Sequence, residues 1–309
     1  MSKFNMLYLI ILILFFSACS KQIQDFNNKN IAKEVSITGI ASNLSKITSS
    51  KIDDYVLNPS PNGRWLLLKS VDQDGKSILK KYNLKKSTSI ILTSSANNIS
   101  GGDWMPNMKS IIYSTNRLNK FVLVKTLGVS GGVGVKYITK PGLGNARLPD
   151  VSTNGEEIAF SIFESSYNNQ IAKIDSSGEN LQLFGNGYSP EFSPNHKKLI
   201  FVRKTGDFTH IFSCKASNGN ALTQLTSGNS NNYSPSWSPN GNYITFVSDR
   251  TDKSHLYIMN KNGKNLTQLT QGNFKVSTPK WSDQGYIYFT SNAGGNWDIW
   301  KVKIDNRKL

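Results

Sequence analysis

A unit of about 44 residues recurs six times along this chain, and a repeat of that length confines the fold to very few architectures. The segment Tyr233-Ser-Pro-Ser-Trp-Ser-Pro-Asn-Gly241 returns as Tyr188-Ser-Pro-Glu-Phe-Ser-Pro-Asn-His196 and, less closely, at four other places. With the second proline as marker, the equivalent positions are Pro61, Pro106, Thr153, Pro194, Pro239 and Asp283, at spacings of 45, 47, 41, 45 and 44.

Each unit reads as four strands. The first ends in a turn such as Asn62-Gly63, Asn154-Gly155 or Asn240-Gly241, where Asn and Gly tolerate positive φ. A strongly apolar second strand follows, for example Tyr243 to Val247. An alternating third (His255 to Met259) and a fourth (Asn265-Leu-Thr-Gln-Leu-Thr270) complete the unit. Four antiparallel strands per forty-odd residues is the pattern of a β-propeller blade, so the chain is expected to be all-β, a six-bladed β-propeller of four-stranded blades. Nine of the ten prolines fall in the first strand or its turn, with only Pro141 elsewhere. Proline cannot donate to a ladder, so that strand must be an edge, as the strand facing a propeller's channel is.

The sixth unit ends at Leu309 after its third strand. The missing strand is found near the start, where Asn43-Leu-Ser-Lys-Ile-Thr48 matches Asn265 to Thr270 and Ala221 to Thr226. Residues 43–48 are therefore expected to complete the C-terminal blade and close the ring. Residues 35–40 read as a further edge strand without an assigned place.

Ahead of the propeller, Lys3 precedes an apolar run from Met6 to Phe16, which as a helix rises only about 16 Å and fits a signal peptide better than a membrane span. Phe16-Ser17-Ala18-Cys19 resembles the bacterial lipoprotein signal, which implies diacylation of Cys19 as the new first residue. Phe16 stands where that pattern has leucine. Ser20-Lys21 lacks the aspartate that the same resemblance associates with inner-membrane retention, which implies an outer-membrane anchor facing the periplasm. The expected organisation is a signal peptide over 1–18, a polar tether over 19–32 and the propeller over 33–309.

Lys and Arg number 36 against 20 Asp and Glu, and removing the signal takes away only Lys3. In an exported chain this excess points to anionic lipid, lipopolysaccharide phosphate or acidic proteins instead of nucleic acid. The pairs Lys80-Lys81, Lys85-Lys86 and Lys197-Lys198 are scattered, which also suits a solvated basic surface.

The run Pro-x-Trp-Ser-Pro-Asn-Gly-x-x-Ile-x-Phe-x-Ser-Asp-Arg from Pro235 to Arg250, with Leu-Thr-x-Leu-Thr closing the blade, resembles the TolB-type propeller repeat. That repeat is also found in propeller domains of prolyl-oligopeptidase relatives and in oligogalacturonate lyases. The likeness is specific in blades 4 and 5 and looser in blades 1–3, where Val151 and Thr153 replace Trp and Pro. TolB itself carries an additional α/β domain that has no counterpart here.

Candidate chemistry is sparse. Gly128-Val-Ser-Gly-Gly132 satisfies GxSxG, but a nucleophile elbow needs a following helix, and here the motif falls in a blade hairpin. His210 and His255 share a repeat position one blade apart, too far to share an ion, and His196 replaces a turn glycine. No metal or cofactor is expected. Cys214 reads as a small buried hydrophobe. Trp104, Phe192, Trp237 and Trp281 hold one position in the repeat and are expected to pack between blades.

Arg117, Arg203 and Arg250 follow second strands and share a face with the connections that carry Tyr188 and Tyr233, so these five are the candidate partner-binding residues. The competing reading for Arg250 is a local ion pair with Asp249 or Asp252. The resemblance implies a monomeric, lipid-anchored, non-catalytic scaffold that binds an acidic envelope protein. A binder of a small ligand or glycan at the channel mouth, and a metal-dependent lyase or hydrolase-type enzyme, are the alternatives.

Overall fold

The structure is a computed structural model describing residues 36–305 except 38, 94–96, 118, 133 and 165–168. The signal peptide, Cys19 and the tether lie outside the described residues.

Six four-stranded antiparallel sheets follow one another along the chain. In blade 4 the strands are Tyr188–Phe192, Lys198–Thr205, Phe208–Lys215 and Thr223–Gln224; in blade 5 they are Asn232–Trp237, Tyr243–Thr251, Lys253–Asn260 and Thr267–Gln268. The first strands, Asp53–Pro59, Ile99–Trp104, Asn145–Val151, Tyr188–Phe192, Asn232–Trp237 and Val276–Trp281, touch their neighbours in sequence, and the sixth touches the first. This is a closed six-bladed propeller with those strands around its channel, as expected.

Closure is by the N-terminal strand. Ala41–Lys46 pairs with Asn296–Ile304, Ala41 opposite Ile304 and Lys46 opposite Trp300. Ser36–Ile37 forms a short separate ladder with Thr270–Gln271, which gives the unassigned edge segment its place between blades 5 and 6.

Two recurring motifs acquire physical reasons. In Ser-Pro-Asn-Gly, the serine hydroxyl accepts the backbone N–H five residues on and donates to the Asn two residues on: Tyr243 N to Ser238 Oγ is 2.9 Å and Ser238 Oγ to Asn240 Oδ1 is 2.7 Å. The same pair of bonds joins Ser193, Asn195 and Lys198. His196 sits at φ 57, the conformation its glycine counterparts adopt. In Leu-Thr-x-Leu-Thr, the last threonine accepts a third-strand N–H, as Thr270 does from Leu256 (3.0 Å) and Thr226 from Ile211 (2.9 Å). Thr48 does the same for Ile299 at 2.9 Å, so the closing strand carries the same latch as the blades it imitates.

The core lies between blades. Trp104, Phe192, Trp237 and Trp281 are all buried, as are Phe160, Phe201, Phe246 and Phe289 of the second strands. Gly128 to Gly132 lies in the hairpin between Val122–Thr126 and Val135–Tyr137. Lys81 departs from the solvated reading of the lysine pairs: it is buried with its ammonium 4.8 Å from the Trp65 ring centroid, whereas Lys85 and Lys86 are exposed.

Candidate functional site at the channel mouth

Every first strand contains a bulge at the same level, seen as a register shift against its second strand. In blades 3–6 the bulged residue is not glycine and has positive φ: Leu148 54°, Ser189 54°, Ser234 50° and Thr278 42°. Each is followed by proline, whose missing N–H suits a strand edge. A left-handed conformation costs an ordinary residue roughly 1–2 kcal/mol, and one repeated around a ring is maintained by packing on all sides. Blade 2 has Gly101 at this place, without a positive φ, where a Cβ would come within 2.9 Å of Leu148 Cα.

The bulges enclose a cavity of about 270 Å³ on the axis. Its wall is largely apolar, built from Leu57, Leu148 and the ring of prolines, with Tyr188 and Tyr233 beside them; Asp150 and Lys280 supply charge.

One layer along the strands lies a set of charges that the sequence reading passed over. In blades 2–5 the residue before the core position held by Trp104, Val151, Phe192 or Trp237 reaches the next blade. Asp103 Oδ2 accepts the N–H of Val151 (2.8 Å), Asp150 Oδ2 that of Phe192 (2.8 Å), Glu191 Oε1 that of Trp237 (2.7 Å) and Ser236 Oγ that of Trp281 (3.3 Å). The member in blade 6 is Lys280, which has no acceptor to offer; its neighbour in blade 1 is Pro59, which has no N–H to give. Lys280 instead donates to Glu191 Oε2 at 2.6 Å, an ion pair between blades 4 and 6.

Three carboxylates thus share one ammonium. Burial, then repulsion from Glu191 and Asp103, holds the Asp150 carboxyl well above the usual carboxylate range. Burial pushes Asp103 up to about 6. Burial alone would pull Lys280 down, but Glu191, Asp150 and Asp103 outweigh it and push the ammonium up to about 12. Among the described residues no three His, Cys, Asp or Glu side chains are grouped to hold a metal. His210 contacts Asn232, and His255 packs edge-on against Phe274. Burial lifts the Cys214 thiol to about 11, consistent with an inert core residue.

The five candidate residues occupy the face where blades connect, but they are not equally available. Arg250 is anchored: Nη2 donates to Asn232 Oδ1 at 2.7 Å, Nε donates to Ser248 Oγ at 3.0 Å, and the guanidinium lies 4.9 Å from the Tyr257 ring centroid. Among the described residues it has no ion pair with Asp249 or Asp252; Asp249 accepts from Asn231 instead. Among the described residues Arg203 uses only Nε, donated to Asn186 O at 2.7 Å. Arg117 is exposed and hydrogen-bonds Tyr113. Tyr233 donates to Ser254, Tyr188 bonds Thr209, and both rings line the axial cavity. Tyr188 also borders a second cavity together with Arg203.

The profile of the family described as TolB beta propeller domain matches residues 144–309. Among solved structures, a TolB-assigned protein from Agrobacterium tumefaciens is 17% identical with a TM-score of 0.64, covering 84% of this chain and 92% of that one. A gluconolactonase from Xanthomonas campestris is 12% identical with a TM-score of 0.67, covering 87% and 91%. An oligogalacturonate lyase from Vibrio parahaemolyticus is 12% identical with a TM-score of 0.59, covering 89% and 98%. At these identities the likeness is one of fold. No curated protein matches the sequence.

Proposed function

Since the chain belongs to the TolB beta-propeller domain family, we propose that it is a non-catalytic interaction scaffold of the cell envelope, tethered by a lipid on Cys19 and receiving a segment of another envelope protein at its channel mouth. The observation that carries this reading is the mouth itself: a preformed cavity with an apolar proline ring, two tyrosines and the side chains of Asp150 and Lys280. Tyrosine at the edge of such a recess offers large contact area at small entropic cost, the composition of a protein-binding hot spot. Lipidation and an outer-membrane anchor facing the periplasm follow from the leader sequence.

The size of the cavity favours a second reading, a small ligand or glycan held at the mouth. Enzymes occur among the fold relatives, but Asp150 and Lys280 are tied into the inter-blade ring, so we assign them no catalytic part.

Affinity capture with the mature lipoprotein tests the scaffold. One stoichiometric envelope protein should be retained by the wild type and lost on Tyr188→Ala with Tyr233→Ala at unchanged melting temperature. Capture that survives the double substitution would remove the mouth from the account, and no captured protein would favour the small ligand. Palmitate label should mark the wild type and be absent from Cys19→Ala.

A further inference from the structure

The second cavity lies off the axis, between blades 3 and 4, and measures about 350 Å³. It is lined by Phe163, Asn169, Asn186, Gly187, Tyr188, Arg203, Lys204 and Thr209. That volume is within the range of small-molecule sites. Two cations and no carboxylate line it, so its field selects anions.

Arg203 is set up for recognition more than for structure. Its Nε bond to Asn186 O and its stacking 5.4 and 5.3 Å from the Phe201 and Phe212 ring centroids fix the guanidinium plane. Among the described residues the two terminal nitrogens have no partner, and a guanidinium so oriented matches a carboxylate in bidentate fashion. In the same lining, the Oδ1 atom of Asn169 is buried and, among the described residues, accepts no hydrogen bond. A buried acceptor left unpaired is unfavourable, and a donor brought by a ligand would relieve it. Phe163 and Tyr188, ring centroids 6.3 Å apart and tilted 48° to each other, give the pocket an aromatic corner.

We propose that this pocket binds a small hydroxy acid, its carboxylate on Arg203 and Lys204, a hydroxyl donating to Asn169 Oδ1 and its C–H face on Phe163 and Tyr188. A zwitterion suits the site less well, because its ammonium would meet Lys204. The site shares Tyr188 with the axial mouth, but Arg203, Lys204 and Asn169 belong to it alone, and it does not depend on the scaffold reading.

The probes are galactonate, a six-carbon hydroxy acid, and galactitol, the neutral polyol without the carboxylate, titrated calorimetrically into the mature chain. Galactonate should bind saturably and at least about tenfold more tightly than galactitol, the discrimination expected of one charge-assisted bidentate contact. Arg203→Lys, which keeps the charge but loses the fork, and Asn169→Asp, which turns the waiting acceptor into a repelling carboxylate, should each weaken galactonate about tenfold or more. Both variants must melt like the wild type for the comparison to count, and Asn169→Ser serves if Asn169→Asp does not. No saturable binding up to roughly 10 mM, equal binding of galactitol, or full affinity in both variants would overturn the proposal.

Discussion

The charges around the channel and the charges on the connecting face differ in what holds them. Around the channel, Asp103, Asp150, Glu191 and Lys280 are enclosed, bond to the backbone of the next blade or to one another, and share too little positive charge. On the connecting face, Arg203 keeps two terminal nitrogens for a partner and Arg117 is exposed, while Arg250 is tied down like a core residue. The lesson is that the sign or identity of a residue says little about its work here; what decides is whether its hydrogen-bonding capacity is spent inside the ring.

The comparison is broken most severely at Lys280. Lys280→Met leaves Glu191 and both aspartates without their ammonium, and removing one partner of an enclosed ion pair costs about 3–5 kcal/mol. A large fall in melting temperature is expected, with partial recovery in Lys280→Met combined with Glu191→Gln, whose amide oxygen can still accept the Trp237 N–H. A fall no larger than that of a surface lysine would mean that the channel charges are solvated like the rim.

Proton linkage should differ between the two regions as well. Asp103 and Asp150 have folded-state pKa values raised above their ordinary one, so the folded chain holds protons that the unfolded chain releases. Their contribution is therefore most favourable below about pH 4 and is lost as pH rises, for Asp103 through about 6. Subtracting the stability of Asp103→Asn with Asp150→Asn from that of the wild type at each pH should give a difference that falls from pH 4 to pH 7. A difference that rises with pH would show the carboxylates to be stabilised by ionisation.

Arg250→Met sharpens the division within the connecting face. It strands Asn232 Oδ1, a fully buried residue's acceptor, so a loss of about 1–3 kcal/mol is expected in denaturant unfolding. Arg117→Met should change stability by less than about 0.5 kcal/mol. Equal effects would dissolve the distinction. Smaller still is the expected consequence of Lys85→Glu with Lys86→Glu, which should leave both melting and partner capture near wild type. Lys80 and Lys81 cannot serve as that control, since Lys81 is buried over Trp65.

Much of the fold was legible because a propeller writes itself in sequence-local terms. The turn motif around Pro239, the threonine latch at Thr270 and its copy at Thr48 each depend on residues a few positions apart or on a repeated identity. The channel charges were not legible for the opposite reason. Their position is constant but their identity runs Asp, Asp, Glu, Ser, Lys; the first four act on residues 42 to 48 positions away and Lys280 on one 89 away, so no motif forms. A polar residue directly before every core aromatic was the available signal. Arg250 looked like its neighbour Arg203 because both end an apolar strand, and only the placement of Asn232 separates them. The pocket beside Arg203 needs Asn169 from another blade, a juxtaposition that exists only once blades 3 and 4 pack together.

The central claim, that a partner enters at the channel mouth, is tested most directly by a photoreactive phenylalanine analogue placed at Tyr233 and, separately, at Ile90 on the exposed outer strand of blade 1, with irradiation in intact cells. The account predicts a discrete adduct with one envelope protein from position 233 and none from position 90. The same adduct from both positions, or one from position 90 alone, would contradict it.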